Sequence, residues 1–391
     1  MKIALFAGTR PEAIKIAPVF MALKEQPGVE LVLVSSGQHK EMLAQAFANF
    51  GLEPGVDLAV MRRGQSLARL SARLFVKIDG FLEREKPDIV LAQGDTTTVM
   101  AVSVCAFYKG IAMGHIEAGL RTHNIQSPFP EEFNRRVAAL SAKWHFAPTG
   151  AARGNLAAEG VPPSDIFVTG NTGIDALLWM KKHGGAGAHL LPGPVREYLG
   201  RGLRMILVTA HRRENYGPGF AALCRALERL AAAYPDVFIV YPLHPNPQAG
   251  KYAREALRGR ERIVLLPPAE YKTFIALMDA ACLILTDSGG IQEEGPALGK
   301  PVLVTRESTE RPEGVEAGTA CLVGANESRI VAKASALLDN PEEYKAMAQA
   351  VNPYGDGHAA ERIRDIILFG ASRPGGENLA NTRPGGDSGR A

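Results

Sequence analysis

Cysteine is scarce. The 391 residues hold four, Cys105, Cys224, Cys282 and Cys321, and none forms a Cys-x-x-Cys pair. No disulfide framework or thiolate metal centre is legible, and no metal is expected. Each cysteine lies in or beside an apolar stretch, which predicts buried, reduced thiols. An excess of one charge is also missing. Lys and Arg number 44 against 41 Asp and Glu. No basic block of the kind that tracks a phosphate backbone exists, so nucleic acid is not an expected partner. No window of about 18 apolar residues occurs, which excludes a membrane-spanning helix and makes the membrane an unexpected partner. The opening run MKIALFAGTRPE is only strand-length, is broken by Gly8 and Arg10, and has no small-residue cleavage site. It does not read as a secretory signal. These absences together predict a cytoplasmic protein.

What is present is globular composition, with 46% hydrophobic and 22% charged residues. The length is too great for one ordinary compact domain, so two are expected. Short apolar runs at Ile3–Ala7, Leu31–Ser35, Asp88–Ala92 and Ile111–His115 read as parallel strands buried on both faces. Helical spacing fills the gaps. Ser66 is a plausible N-cap for a stripe of Leu67, Leu70, Leu74, Ile78 and Phe81. A second helix runs from about Thr96 to Tyr108. The Gly/Pro-rich stretch 184–194 reads as a linker. Strand-like runs then resume at Arg204–Thr209, Val237–Tyr241, Ile263–Leu266, Cys282–Thr286 and Pro301–Val304, with helices at Gly219–Ala233 and Tyr271–Ala280. The fold class is α/β, with two Rossmann-like doubly wound halves. The composition of 371–391 predicts a disordered tail.

Ligands of doubly wound sheets sit beyond the carboxyl ends of the strands, so the loops there are informative. After the first strand, Gly8-Thr9-Arg10-Pro11-Glu12-Ala13-Ile14-Lys15 puts Arg10 and Lys15 near a helix N-terminus, where anions bind. An ordinary turn with solvated charges is the bland alternative. The G-x-G-x-x-G fingerprint is absent, which argues against a tightly bound NAD, and no cofactor is expected. Gln93-Gly94-Asp95-Thr96-Thr97-Thr98 places Asp95 at a strand end, where a simple helix cap is the plainer reading. His115 and Glu117 alternate along one strand and should face one side. Pro128-Phe129-Pro130 stiffens the approach to Glu131, although a first-turn carboxylate also suits the helix dipole. Asp95, Glu117 and Glu131 would then share one rim and raise each other's proton affinity, which outlines a general acid/base site. In the second half, His211, Arg212 and Arg213 follow a strand and suit a polyphosphate and a proton transfer. His244 carries little weight alone. Ser288, Gly289 and Gly290 can aim backbone amides at a phosphate, Glu294 can reach ribose hydroxyls, and Arg311 adds a cation.

The segments GTRPEAIK, QGDTTT, HIEAGLRT, PFPEEFNRR, TAHRREN, DSGGIQEE and TERPEG occur in this order between 8 and 314. Together they resemble the non-hydrolysing UDP-N-acetylglucosamine 2-epimerase family over nearly the whole chain. The resemblance implies a glycosyltransferase-B type architecture: an N-terminal domain of 1–172 plus a returning helix within 355–370, and a C-terminal nucleotide-binding domain of 173–354. It implies interconversion of UDP-GlcNAc and UDP-ManNAc through a 2-acetamidoglucal. Asp95, Glu117, Glu131 and His211 become acid/base candidates. Arg10, Lys15, Ser288, Gly289, Gly290, Glu294 and Arg311 become contacts to the UDP-sugar. The family also implies a homodimer and, in bacterial members, a second activating site, which Gln38, Glu131, Arg212 and His244 partly match. Glu41 and Gly64 stand where some members carry Gln and Arg, so activation stays open. Two rival substrates stay open as well: a related UDP-diacetamido sugar, or an acceptor of a glycosyltransferase with the same architecture.

Overall fold

The computed structural model describes residues 1–37, 40–62, 64–183, 187–211, 217–243 and 247–370. The predicted tail, together with Gln38, Arg212, Arg213 and His244, lies outside the described residues. The described strands form two wholly parallel sheets. The first holds β1 (Lys2–Ala7), β2 (Glu30–Ser35), β3 (Val56–Asp57), β4 (Ile89–Gln93), β5 (Ala112–Ile116), β6 (Trp144–Ala147) and β7 (Ile166–Val168), in the order β3-β2-β1-β4-β5-β6-β7. The second holds β8 (Arg204–Thr209), β9 (Val237–Pro242), β10 (Ile263–Leu266), β11 (Ala281–Thr286), β12 (Val302–Val304) and β13 (Ala320–Leu322), in the order β10-β9-β8-β11-β12-β13. This is the doubly wound α/β architecture the sequence predicts, twice over. β1 and β8 sit centrally, and helices cover both faces, so their side chains are apolar without alternation.

Sequence reading missed β3, β6, β7 and β13. Each has two to four residues and lies toward a sheet edge. Such strands are fixed by their neighbour's ladder more than by their own side chains. The predicted linker also needs correction. Ala188–Leu190 forms a short 3₁₀ turn, a helix spans Gly193–Gly200, and Leu191 and Val195 are buried. Those apolar side chains pack into the core, which pulls the segment out of solvent.

The helix Leu67–Glu85 shows how sequence becomes packing. Ser66 caps it by accepting from the Arg69 amide. Its stripe of Leu70, Leu74, Ile78 and Phe81 is buried, and Phe81 meets Phe6 of β1 edge-on at 5.4 Å between ring centres. Lys86, in the left-handed region with φ 45°, ends it by donating its amide N–H to the Leu82 carbonyl. Burial of each such side chain stabilises by about 1.5–3 kcal/mol.

The sheet order reverses between β1 and β4, and again between β8 and β11. These are the switch points where doubly wound folds hold ligands. The helix Thr172–His183 packs on Arg10–Lys24 from the first half and on Tyr271–Ala280 and Gly289–Ala297 from the second, so both switch points share one spine. The helix Ala359–Phe369 lies against Arg10–Lys24 and Thr172–His183. Asp175 accepts from its Ala360 amide at 2.7 Å. Among the described residues no helix is long and apolar enough to cross a membrane.

Candidate active site

At the first switch point the helix Arg10–Lys24 opens with a capping box, Thr9 to Glu12. Glu12 is buried. One oxygen accepts from the Gly8 amide (2.8 Å), the Thr9 amide (2.6 Å) and the Thr9 hydroxyl (2.9 Å), and the other accepts from the Thr96 hydroxyl at 2.5 Å. Burial pushes its carboxyl up to about 7, against the pull of those four donors. The helix's own carboxylate therefore engages the amides just before its start, and an anion here would meet the side chains of Arg10 and Lys15 instead. Glu12 was missed in the sequence, although Thr-x-x-Glu is a capping-box signature.

After β4, Gly94 takes φ 86° and turns the chain so that Asp95 faces the crevice. The Asp95 carboxylate pairs with Arg135. After β5 the expected alternation fails. The strand ends at Ile116, and Glu117 enters the left-handed region with φ 64°. Such a conformation costs a non-glycine residue about 1–2 kcal/mol. The turn breaks the pleat, so His115 and Glu117 do not share a strand face. His115 is buried, with Nε2 2.7 Å from the Gly94 carbonyl oxygen. Glu117 instead accepts from Lys15 Nζ at 2.6 Å and from Gln93 Nε2. Burial works against charge on Lys15, but Glu117 and Glu293 outweigh it and hold its pKa above the ordinary value.

These groups surround a cavity of about 370 Å³ lined by Lys15, Asp95, Glu117, Arg121, Arg135 and, from the second half, Arg311. Arg311 donates from Nε to Glu293 at 2.8 Å, and Asn171 donates to the other oxygen of Glu293 at 2.6 Å. Burial opposes the charge on Arg311, but Glu293 and Glu117 outweigh it and raise its pKa. Glu131 is half-buried as the first residue of the helix Glu131–Ser141 and does not line this cavity. The shared three-carboxylate rim is therefore reduced to Asp95 and Glu117. The buried acid of that helix turn is Glu132, which accepts from the Thr122 amide at 3.1 Å.

The remaining candidates gather at the second switch point. The His211 backbone amide donates to Asp287 at 2.8 Å, and its Nδ1 stands 3.0 Å from the other Asp287 oxygen. A carboxylate beside Nδ1 orients an imidazole ring. Ser288 is the N-cap of the helix Gly289–Ala297, and its own side chain makes no capping bond. A Cβ on Gly289 would come within 3.2 Å of the Arg311 guanidinium, so glycine there keeps that cation close to the helix start. Desolvation, with Glu293 beside it, pushes the half-buried Glu294 carboxyl up to about 7, against the pull of Lys15. Tyr271 is raised well above its ordinary value by burial and Glu294, and Arg10 lowers it, so Arg10 lies in the same neighbourhood. The structure thus brings acids and cations of the first half to face an amide-rich helix start of the second.

A family model described as UDP-N-acetylglucosamine 2-epimerase matches residues 21–368. This chain belongs to that family. It is 48% identical over 369 residues to the UDP-N-acetylglucosamine 2-epimerase of Salmonella typhimurium, covering 94% of this chain and 98% of that one. It is 47% identical over 369 residues to that of Escherichia coli K12, with the same shares covered. The crystal structure of UDP-GlcNAc 2-epimerase from Neisseria meningitidis bound to UDP-GlcNAc superposes with a TM-score of 0.84 at 43% identity, over 94% of this chain and all of that one. Membership in this 2-epimerase family makes the chain an enzyme, and the cavity between its sheets its candidate active site.

Proposed function

We propose that the enzyme interconverts UDP-GlcNAc and UDP-ManNAc by eliminating and re-adding UDP. Carbon 2 of the sugar has no carbonyl neighbour, so its proton is not acidic and direct removal would be slow. Elimination avoids that difficulty. A base takes the carbon 2 proton, the C–H electrons form the C1=C2 bond, and the C1–O bond breaks with its pair leaving on UDP. The 2-acetamidoglucal then accepts a proton on its other face, and UDP returns to carbon 1. The observation that carries this reading is the pairing of two carboxylates in one cavity with cations on both sides. Glu117 is held by Lys15 and Gln93, Asp95 by Arg135, and Arg311 closes the wall from the second half. Asp95 and Glu117 carry the proton work within the cavity, and Glu131 and His211, outside its lining, would join them as the halves close. Arg10, Lys15, Arg311 and the Ser288–Gly290 amides take the charge that develops on the diphosphate. Glu294 takes the ribose. Domains of 1–172 with 355–370, and of 173–354, would close on the glucal and exclude water.

A homodimer through the first half belongs to the same proposal. Val76, Phe107, Tyr108 and Leu140 lie on three helices packed side by side, and each is at least 64% exposed. Light scattering at twice the chain mass is the expected result, and a monomer would contradict it. The epimerase reading itself is tested by incubating UDP-GlcNAc with the enzyme in deuterated water without NAD. Deuterium at carbon 2 of both sugar nucleotides is expected. Release of free ManNAc, or UDP release that needs an added acceptor and brings no deuterium, would overturn it.

A further inference from the structure

The turn that presents Asp95 has three residues, Gly94-Asp95-Thr96, and a different buried side chain holds each one. His115 Nε2 lies 2.7 Å from the Gly94 carbonyl oxygen. Asn134 Nδ2 donates to the Asp95 carbonyl at 2.9 Å. Glu12 accepts from the Thr96 hydroxyl at 2.5 Å. The three holders come from β5, from the helix Glu131–Ser141 and from the helix Arg10–Lys24, and none is more than 2% exposed. A carbonyl only accepts, so the His115 proton sits on Nε2. Burial pushes that imidazole down to about 4, which keeps it neutral at pH 7, and its buried Nδ1 has no partner among the described residues. Arg135, one residue beyond Asn134, pairs with the Asp95 carboxylate itself. The helix Glu131–Ser141 thus fixes both the backbone and the carboxylate of Asp95, while β5 and the helix Arg10–Lys24 fix the residues on either side.

We propose that His115, Asn134 and Glu12 are positioning residues that act through Asp95, holding its carboxylate against the cavity so that it meets the sugar without rearrangement. The proposal rests on the reading above, in which Asp95 handles a proton at the ring. An acid or base must lie within hydrogen-bond reach of its proton. A displacement of about 1 Å costs on the order of 100-fold in rate. Two of the holders, His115 and Asn134, do not line the cavity, so direct contact with substrate is not their role.

The test uses four variants of the full chain and steady-state kinetics with UDP-GlcNAc. His115→Phe removes the donor to Gly94, and His115→Gln restores a nitrogen donor near the same place. Thr96→Val removes the hydroxyl bonded to Glu12 at almost unchanged volume, and so reads the same turn if His115→Phe fails to fold. Asp95→Asn is the reference. For His115→Phe and Thr96→Val, kcat should fall about 10- to 100-fold with KM changed less than about twofold. His115→Gln should recover most of the loss. Adding Thr96→Val to Asp95→Asn should bring no further fall, because both act through one group. Unchanged kcat in folded His115→Phe and in Thr96→Val would overturn the proposal. So would an equal fall in the Asp95→Asn background, the mark of a merely structural role. Wild-type turnover in Asp95→Asn alone would instead sink the underlying assignment of Asp95.

Discussion

At the first switch point, the amides that open the helix after β1 are taken by the protein's own Glu12. At the second, the helix after β11 opens with Ser288-Gly289-Gly290, the Ser288 side chain makes no capping bond, the Ser288 amide donates to the Thr286 hydroxyl at 3.0 Å, and a Cβ on Gly290 would meet nothing within 4 Å. The two helices flank their switch points from opposite sides, one following β1 and the other β11, and they treat the amides at their starts differently. A carboxylate seated at a helix start leaves anion binding there to the side chains of Arg10 and Lys15. A glycine-lined start lets a diphosphate approach the backbone closely. The contrast supports the proposed division of the reaction: fixed carboxylates at the first switch point, a glycine-lined helix start for the leaving group at the second, and cations from both halves between them.

That contrast can be broken most sharply at Asp95. Asp95→Asn is expected to lower kcat by about 1,000-fold, within the range of a lost acid/base group, while UDP affinity by calorimetry changes less than about twofold. Equal losses in both would erase the division between the halves. Glu293 is one side chain on which the two halves meet, through Asn171. Glu293→Ala leaves the half-buried Arg311 with only Glu310, itself more exposed, as a carboxylate partner and should cost about 2–3 kcal/mol in chemical denaturation. A loss under about 1 kcal/mol would mean that the joint is not strained by the missing charge.

The third test concerns pH. His115 has a folded pKa of about 4, below its ordinary value of 6.5. The unfolded chain therefore binds the proton more readily, and the contribution of neutral His115 to stability is present above pH 6.5 and lost as pH falls toward 4. Glu12 and Glu294, raised from 4.5 to about 7, act in the opposite sense. Their contribution is present below pH 4.5 and lost as pH rises through 7. Comparing wild type with His115→Gln isolates the first effect. The variant should gain about 2 kcal/mol relative to wild type between pH 7 and pH 5. Parallel stability curves would show that His115 is not held neutral. The smallest effect is expected at the cradle. Gly289→Val pushes on the Arg311 guanidinium and should weaken UDP binding about tenfold, roughly 1.4 kcal/mol. Unchanged UDP affinity would move the diphosphate away from that helix start.

Much of this was legible in the residues. The runs of β1, β4, β8 and β11 read as buried parallel strands because nothing polar interrupts them, and Ser66 announced its helix through its cap. The motif loops fell at the strand ends, where the fold demands ligands. What escaped depends on tertiary partners. β6 and β7 exist through their ladders with β5 and with each other. Glu117 leaves its strand by a turn that periodicity cannot show, since its φ is fixed along with the pairing to Lys15 and Gln93. Glu131 was expected at the rim beside Asp95, yet its neighbours Glu132, Asn134 and Arg135 are the ones turned inward. A helix start at Glu131 fixes which residues face the sheet, and that start was uncertain by about a residue.

Cleavage and re-formation of the bond between carbon 1 and the diphosphate oxygen is the step on which the whole division of labour depends. It is read most directly by placing ¹⁸O in the bridging position of UDP-GlcNAc and following the ³¹P spectrum during turnover. The expected result is migration of the label to non-bridging positions of the β-phosphate in the wild type, and none in Asp95→Asn. Interconversion of the two sugars with the label held in the bridge would contradict it.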